Sequence, residues 1–181
     1  SIIGFSEQLK NYHAPHLEAV GAINSSSEHL LHIVNEVLDY SRISSGSFTL
    51  VKEPFTLFAL VKEVESAMRI QAERKNLTLL LDLEKASDYK LLGDRFRLRQ
   101  ILYNLIGNAI KFTTKGYVKL TVKTLEDNGT VKCSFEIMDT GIGIRNEDLE
   151  KIFNQFEQAS SFITRNFGGT GLGLTIVKSL V

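Results

Sequence analysis

Three groups of residues in this 181-residue sequence have types and spacings suited to chemistry. The first is Asp139-Thr140-Gly141-Ile142-Gly143-Ile144. A carboxylate at the end of an apolar run can accept a hydrogen bond from an exocyclic amine. Glycines two and four residues further on let the backbone come close to a flat ring. The second group is Asn104, Asn108 and Lys111, whose spacings of four and three set two amides and an ammonium on one narrow helical stripe. Leu98, Ile101, Leu102, Leu105 and Ala109 form an adjacent apolar face, expected to bury against a sheet. The third is Gly168-Gly169-Thr170-Gly171-Leu172-Gly173-Leu174, a glycine-rich loop running into a helix. Such a loop presents backbone N–H groups and the positive end of a helix dipole to phosphate.

Each group has a bland reading when taken alone. The amide stripe can be solvated, and the glycine loop can be a hinge. Asp-Thr-Gly is also the aspartic-protease signature, but that chemistry needs two such aspartates side by side and this chain has one. The glycine loop is not a P-loop, because no Gly-Lys-Ser/Thr follows it. Nor is it the dinucleotide fingerprint: counted from Gly169, the third glycine position falls on Leu174, and a polar segment rather than a strand precedes it. Taken together, the groups supply a base-reading carboxylate, a phosphate cradle and an amide pair suited to a hard cation. Mg²⁺ takes oxygen ligands and bridges nucleotide phosphates, so side-chain amide oxygens are chemically suitable partners for it in a nucleotide pocket.

The rest of the chain must position these groups. Hydrophobic residues make up 43% and charged residues 23%, enough for one core and a small second unit. Lys+Arg and Asp+Glu both number 21, so no net field draws nucleic acid or an anionic membrane. The one cysteine, Cys133, excludes an internal disulfide and reads as a strand residue in a reducing compartment. No run approaches the roughly eighteen apolar residues of a membrane span. A signal peptide is also missing, so a cytoplasmic location without direct membrane contact is expected, even if the parent protein is membrane-anchored.

Residues 1–46 show helical spacing only. Ile2, Ile3, Phe5 and Leu9 suggest the end of one helix, and Lys10 to Pro15 a turn. Leu17, Val20, Ile23, Leu30, Leu31, Val34, Val37 and Leu38 mark one face of a second helix, ended by Ser44-Ser45-Gly46-Ser47. A second copy of this hairpin completes a four-helix bundle; packing on the rest of the same chain is the alternative. Residues 47–181 alternate helices and strands. A helix is expected over Leu57–Lys75, a strand over Leu77–Leu83, and an Asp94-capped helix to about Phe112. Strands Tyr117–Leu125 and Thr130–Met138 are joined through Asp127-Asn128-Gly129, a hairpin signal. A short helix over Glu147–Phe153, a glycine-punctuated loop over 157–170 and a final helix from about Gly171 complete the pattern.

At these residues the chain resembles the core of sensor histidine kinases, within the superfamily that includes gyrase and MutL. Asn104 to Lys111 is similar to the family's N box, and Asp139 to Gly143 to its first glycine box. Phe153 to Phe156 is similar to the F box, and Gly169 to Gly173 to the second glycine box. Ser1-Ile2-Ile3-Gly4-Phe5-Ser6 resembles the stretch after the phosphoacceptor motif, and Leu38-Asp39-Tyr40-Ser41-Arg42 the close of the second dimerisation helix. The resemblance thus covers nearly the whole chain, and a hybrid two-component kinase is among the parents it allows.

The resemblance implies an α+β protein: a helical hairpin, half of a dimeric four-helix bundle, then an α/β sandwich with a mixed, largely antiparallel sheet. Asp139 is expected to read the adenine amino group, with Gly141, Gly143 and Ile144 lining the base. Asn108 and Asn104 would hold Mg²⁺, and Lys111 would contact phosphate beside Phe112. Gly169, Thr170, Gly171, Leu172 and Gly173 would hold the phosphates under a lid that includes Phe156 and Arg165. Gln158 stands where many relatives carry a basic residue. In gyrase and MutL a water-activating glutamate occupies the place of Asn104, and an amide cannot act as a general base. That favours transfer of the γ-phosphoryl group to a histidine, assisted by Asn104 and Lys111, over hydrolysis. The resemblance places the acceptor about eight residues before Ser1, in a His-Glu-x-x-Thr/Ser-Pro-type motif, and His13, His16, His29 and His32 stand in no such context. The expected partners are a second copy through the hairpin and a response regulator receiver domain. The alternatives are a gyrase/MutL-type ATPase and a degenerate nucleotide-sensing dimerisation module. The domain of relatives continues beyond the last helix, so the chain is expected to be part of a longer protein.

Overall fold

A computed structural model of the chain describes residues 17–84, 89–128, 130–154 and 171–181. It divides into two compact units, Ser1–Phe48 and Thr49–Val181. The first limb of the expected hairpin, with His13 and His16, lies outside the described residues, as do the side chains of His29 and His32.

In the first unit, helix α1 spans Leu17–Ser44. Ser45 N–H donates to the Ser41 carbonyl at 3.1 Å, and Gly46 N–H to that of Ile43 at 3.1 Å, with Gly46 at φ 68°. Only glycine takes that left-handed conformation cheaply, so the helix stops there. Ile23, Leu30, Leu31, Val34, Val37 and Leu38 are all exposed, although their spacing marks one helical face.

The second unit holds two sheets and three helices among the described residues. Strand β1 (Glu53–Thr56) pairs antiparallel with β3 (Lys90–Gly93), matching Glu53 to Gly93. The larger sheet has the order β2 (Thr78–Glu84), β4 (Tyr117–Asp127), β5 (Thr130–Asp139). β2 runs parallel to β4, with Thr78 opposite Tyr117. β4 and β5 form an antiparallel hairpin from Asp127↔Thr130 to Val118↔Asp139. Asn128 has φ 50°, as a tight Asn-Gly turn requires.

Helices α2 (Leu57–Arg74) and α3 (Arg95–Phe112) cover one face of this sheet. Leu57, Leu60, Val61 and Val64 of α2, Leu102 and Ile106 of α3, and Val118, Leu120 and Val122 of β4 are essentially without solvent contact and make one core. Val118, Leu120 and Val122 alternate along β4, whose period of two turns them all to the helices. Full burial of each such side chain stabilises the fold by about 1.5–3 kcal/mol.

Asp94 starts α3: its Oδ1 accepts from Arg97 N–H at 3.0 Å, while Oδ2 accepts from Val51 N–H at 3.0 Å. One carboxylate therefore caps the helix and fastens the segment entering the unit. The end of α2 is a Schellman arrangement: Leu77 N–H donates to Ala72 O at 2.9 Å, Asn76 N–H to Glu73 O at 2.9 Å, and Asn76 has φ 56°. A third helix, α4, spans Gly173–Leu180.

The sequence expectations differ from the structure in detail. β1 and β3 are four residues each and went unforeseen, being too short to show a period. Glu147–Phe153 forms two 3₁₀ turns, Asn146–Asp148 and Lys151–Phe153, rather than a helix. The buried face of α3 is Leu102, Ile106, Ala109 and Ile110, whereas Leu98, Ile101 and Leu105 are half-buried. The core thus sits further round the helix than the apolar count suggested, because α3 touches both the sheet and α2.

Candidate functional site

The site lies where β5, α3 and α4 end or begin. Asp139 is the last residue of β5, paired with Val118 of β4. Its Oδ1 accepts from Gly141 N–H at 2.8 Å, which turns the chain sharply and fixes the carboxylate. Thr140 ties this turn to the start of β4. Its N–H donates to Tyr117 O at 3.2 Å, and its hydroxyl oxygen accepts from Tyr117 N–H at 3.0 Å. The same hydroxyl lies 3.2 Å from Lys115 O.

Gly141 is required by space. A Cβ there would stand 2.6 Å from the Phe112 carbonyl oxygen and 2.8 Å from Asp139 Oδ1. Gly143 has open space around it but φ 68°, so its requirement is conformational. Ile142 N–H donates to Phe112 O at 3.3 Å, joining the Asp139 loop to the end of α3. Ile142 and Ile144 leave apolar surface exposed beside the carboxylate.

α3 carries Asn104, Asn108 and Lys111, all half-buried. Asn104 Nδ2 donates to Gly173 O at 3.5 Å, which links the stripe to the first residue of α4. That orientation leaves Asn104 Oδ1 as the acceptor of the amide. The Lys111 ammonium lies 5.0 Å from the Phe112 ring centroid, a cation–π distance. Gly171 has φ 74°, and the Leu172 side chain is buried, with its carbonyl accepting from Ile176 N–H at 2.9 Å. Thr175 Oγ1 donates to Phe153 O at 3.1 Å, and Lys178 stands 5.8 Å from the Phe153 ring centroid. The 3₁₀ turn at Phe153 is thereby fastened to α4.

Asp139, Gly141, Gly143 and Ile144 thus share one loop, and hydrogen bonds join that loop to α3 and α3 to α4. Phe156, Gln158, Arg165, Gly169 and Thr170 lie outside the described residues. Among the described residues no three His, Cys, Asp or Glu side chains are grouped to hold a metal ion. The oxygens on offer are the amides of α3, a donor type that suits Mg²⁺ when phosphates complete its shell. Sequence reasoning missed Gly116 and the role of Thr140. Gly116 has φ 113°, and a Cβ on it would stand 2.2 Å from Thr140 Oγ1. A single glycine before a strand gives no signal of that contact. Arg145 was missed too: its Nε and Nη2 each lie 2.9 Å from Oδ2 of the buried Asp148, bracing the segment after the Asp139 loop.

Comparison with known proteins bears on this arrangement. Residues 93–181 match the family described as histidine kinase-, DNA gyrase B- and HSP90-like ATPase. The chain is 40% identical over 182 residues to the autoinducer 2 sensor kinase/phosphatase LuxQ of Vibrio cholerae, covering 99% of this chain and 21% of that protein. It is 39% identical over 183 residues to the signal transduction histidine-protein kinase BarA of Escherichia coli, covering 99% of this chain and 20% of that protein. Full-length ShkA in complex with AMPPNP superposes with a TM-score of 0.75 at 33% identity, over 99% of this chain and 36% of that one. The Acinetobacter baumannii histidine kinase AdeS superposes at 0.70 and 26% identity, over 99% of this chain and 81% of that one. Residues 93–181 belong to that ATPase family, the chain is similar to sensor histidine kinases over nearly its whole length, and its α+β fold with a mixed sheet is that of their ATP-binding domain. It spans about a fifth of the length of the curated relatives it matches.

Proposed function

We propose that this chain is the ATP-binding catalytic core of a two-component sensor histidine kinase, passing the γ-phosphoryl group of ATP to a histidine upstream of Ser1. The observation that carries the reading is the hydrogen-bonded loop of Asp139 and Gly141, fastened through Phe112 to the helix of Asn104, Asn108 and Lys111. In this reading Asp139 accepts from the adenine amine, and Gly141, Gly143 and Ile144 line the base. Asn108 and Asn104 would hold Mg²⁺, which would neutralise phosphate charge. Lys111 contacts the phosphates, with Gly171 and Gly173 at the start of α4 holding them. Phe112, Phe156, Arg165, Gly169, Thr170 and Leu172 complete the pocket. Residues 1–46 are a partial dimerisation hairpin, 47–181 the catalytic domain, and a receiver domain is the phosphoryl acceptor that follows the histidine.

Transfer is favoured over hydrolysis because Asn104 supplies no general base. The test uses the chain within its native longer protein, incubated with Mg²⁺ and γ-labelled ATP. An acid-labile, base-stable label on the protein is the expected result, since phosphohistidine has that stability. Steady release of labelled phosphate without protein labelling would identify an ATPase. Binding of ATP with neither outcome would identify a nucleotide-sensing module.

A further inference from the structure

We infer that Lys75 is a positioning residue for the phosphate end of the nucleotide site. The inference rests on the reading that the α3 stripe faces the phosphates.

The last four carbonyls of a helix have no partner inside it. In α3 each has one from outside the helical ladder. Ala109 O takes the last ladder bond from Thr113 N–H at 3.1 Å and, from outside the ladder, a bond from the buried Thr113 hydroxyl at 2.7 Å. Phe112 O accepts from Ile142 N–H at 3.3 Å. The two between them are taken by a single ammonium: Lys75 Nζ stands 2.9 Å from Ile110 O and 2.8 Å from Lys111 O.

Lys75 is held to this task. It is the residue between the end of α2 and Asn76, and the Schellman bonds from Asn76 and Leu77 fix its backbone. A cation at the negative end of a helix dipole is also favourable. A merely solvated lysine would have no reason to bridge two successive carbonyls of another helix. The bridged carbonyls belong to the turn that carries Lys111 and ends in Phe112, whose own carbonyl holds the Asp139 loop. Lys75 therefore sets the direction in which Lys111 leaves the helix, relative to a loop that is anchored independently by Thr140.

The experiment measures ATP and adenosine binding by calorimetry for the wild-type chain, Lys75→Met and Lys75→Arg, each with its thermal midpoint. Lys75→Met keeps the length of the side chain but loses the donors. It is expected to weaken Mg²⁺-ATP binding about fivefold, the equivalent of one to two modest hydrogen bonds, and adenosine binding less than twofold. Lys75→Arg keeps donors and charge and is expected to recover most of the loss. Unchanged ATP affinity in a folded Lys75→Met overturns the inference. Equal loss for ATP and adenosine also overturns it, because that is the mark of general loosening. A wild-type chain that binds neither ligand overturns the nucleotide reading itself, along with the role of Lys75.

Discussion

At the scale of single residues, Asp139 and Gly141 divide the work of the loop. Asp139 commits Oδ1 to Gly141 N–H, and the rest of its carboxylate is available to an incoming donor. Asp139→Asn exchanges one acceptor oxygen for a donor amide facing another amine. The expected result is Mg²⁺-ATP binding weakened at least tenfold, read by calorimetry. Unchanged affinity would remove Asp139 from the base site. Gly141→Ala places a methyl against backbone at 2.6 Å, which neither partner can relieve by a rotamer change. It is expected to cost about 1–3 kcal/mol in denaturant unfolding, the usual penalty for overpacking, and to weaken ATP as well. Gly143→Ala meets no atom and tests conformation alone, at about 1–2 kcal/mol. The Asp139 motif was legible in the sequence because strand, carboxylate and spaced glycines are local. The need for Gly116 was not, since its reason is Thr140, twenty-four positions away in a different strand's turn.

At the scale of elements, α2 and α3 are joined by charge as well as by core. Glu63 pairs with Arg95, and with Arg99 at 2.8 Å, both from α3. Glu65, nearly buried, pairs with Lys62 at 2.9 Å and with Arg69 along α2. The Arg99 hydrogen bond holds the Glu63 carboxyl below its ordinary range, and Lys62 does the same for Glu65. Because both titrate lower when folded, the unfolded chain binds more protons in acid. Their contribution is complete above the ordinary value of 4.5 and is lost as pH falls through the lowered folded values. Urea unfolding across pH 6 to about 3 is expected to show a falling midpoint, less steep in Glu65→Gln. An identical slope in that variant would assign the acid sensitivity elsewhere. The Asp94 cap is a second element-scale test: Asp94→Ala removes bonds to Arg97 and Val51 and is expected to cost about 1 kcal/mol or somewhat more.

At the scale of the whole molecule, α1 leaves apolar surface to be covered. Ile23, Leu30, Leu31, Val34, Val37 and Leu38 form an exposed apolar stripe, which monomeric proteins seldom leave uncovered. A homodimer through the hairpin is the expected solution. Sedimentation velocity should show dimer for the wild-type chain, and Leu31→Glu combined with Val34→Glu should give monomer without loss of ATP binding. A wild-type monomer at high concentration would count against the hairpin dimer. No described helix is long and apolar enough to cross a membrane.

The sequence by itself determined what depends on neighbours along the chain. It specified the α3 cap at Asp94, the β4–β5 hairpin, the stop of α1 at Gly46, and the strand-end turn from Asp139 to Gly141. Capping, turn chemistry and period are short-range effects, so residue order carries them. Only the tertiary structure decided what depends on contacts between distant segments. It set β2 parallel to β4 and built the small β1–β3 sheet. It also turned the buried face of α3 toward Ile106 and Ile110, and brought Lys75 and Ile142 to the final carbonyls of that helix. Those choices follow from closing one shared core and satisfying the exposed ends of helices, and no local pattern in the chain encodes either.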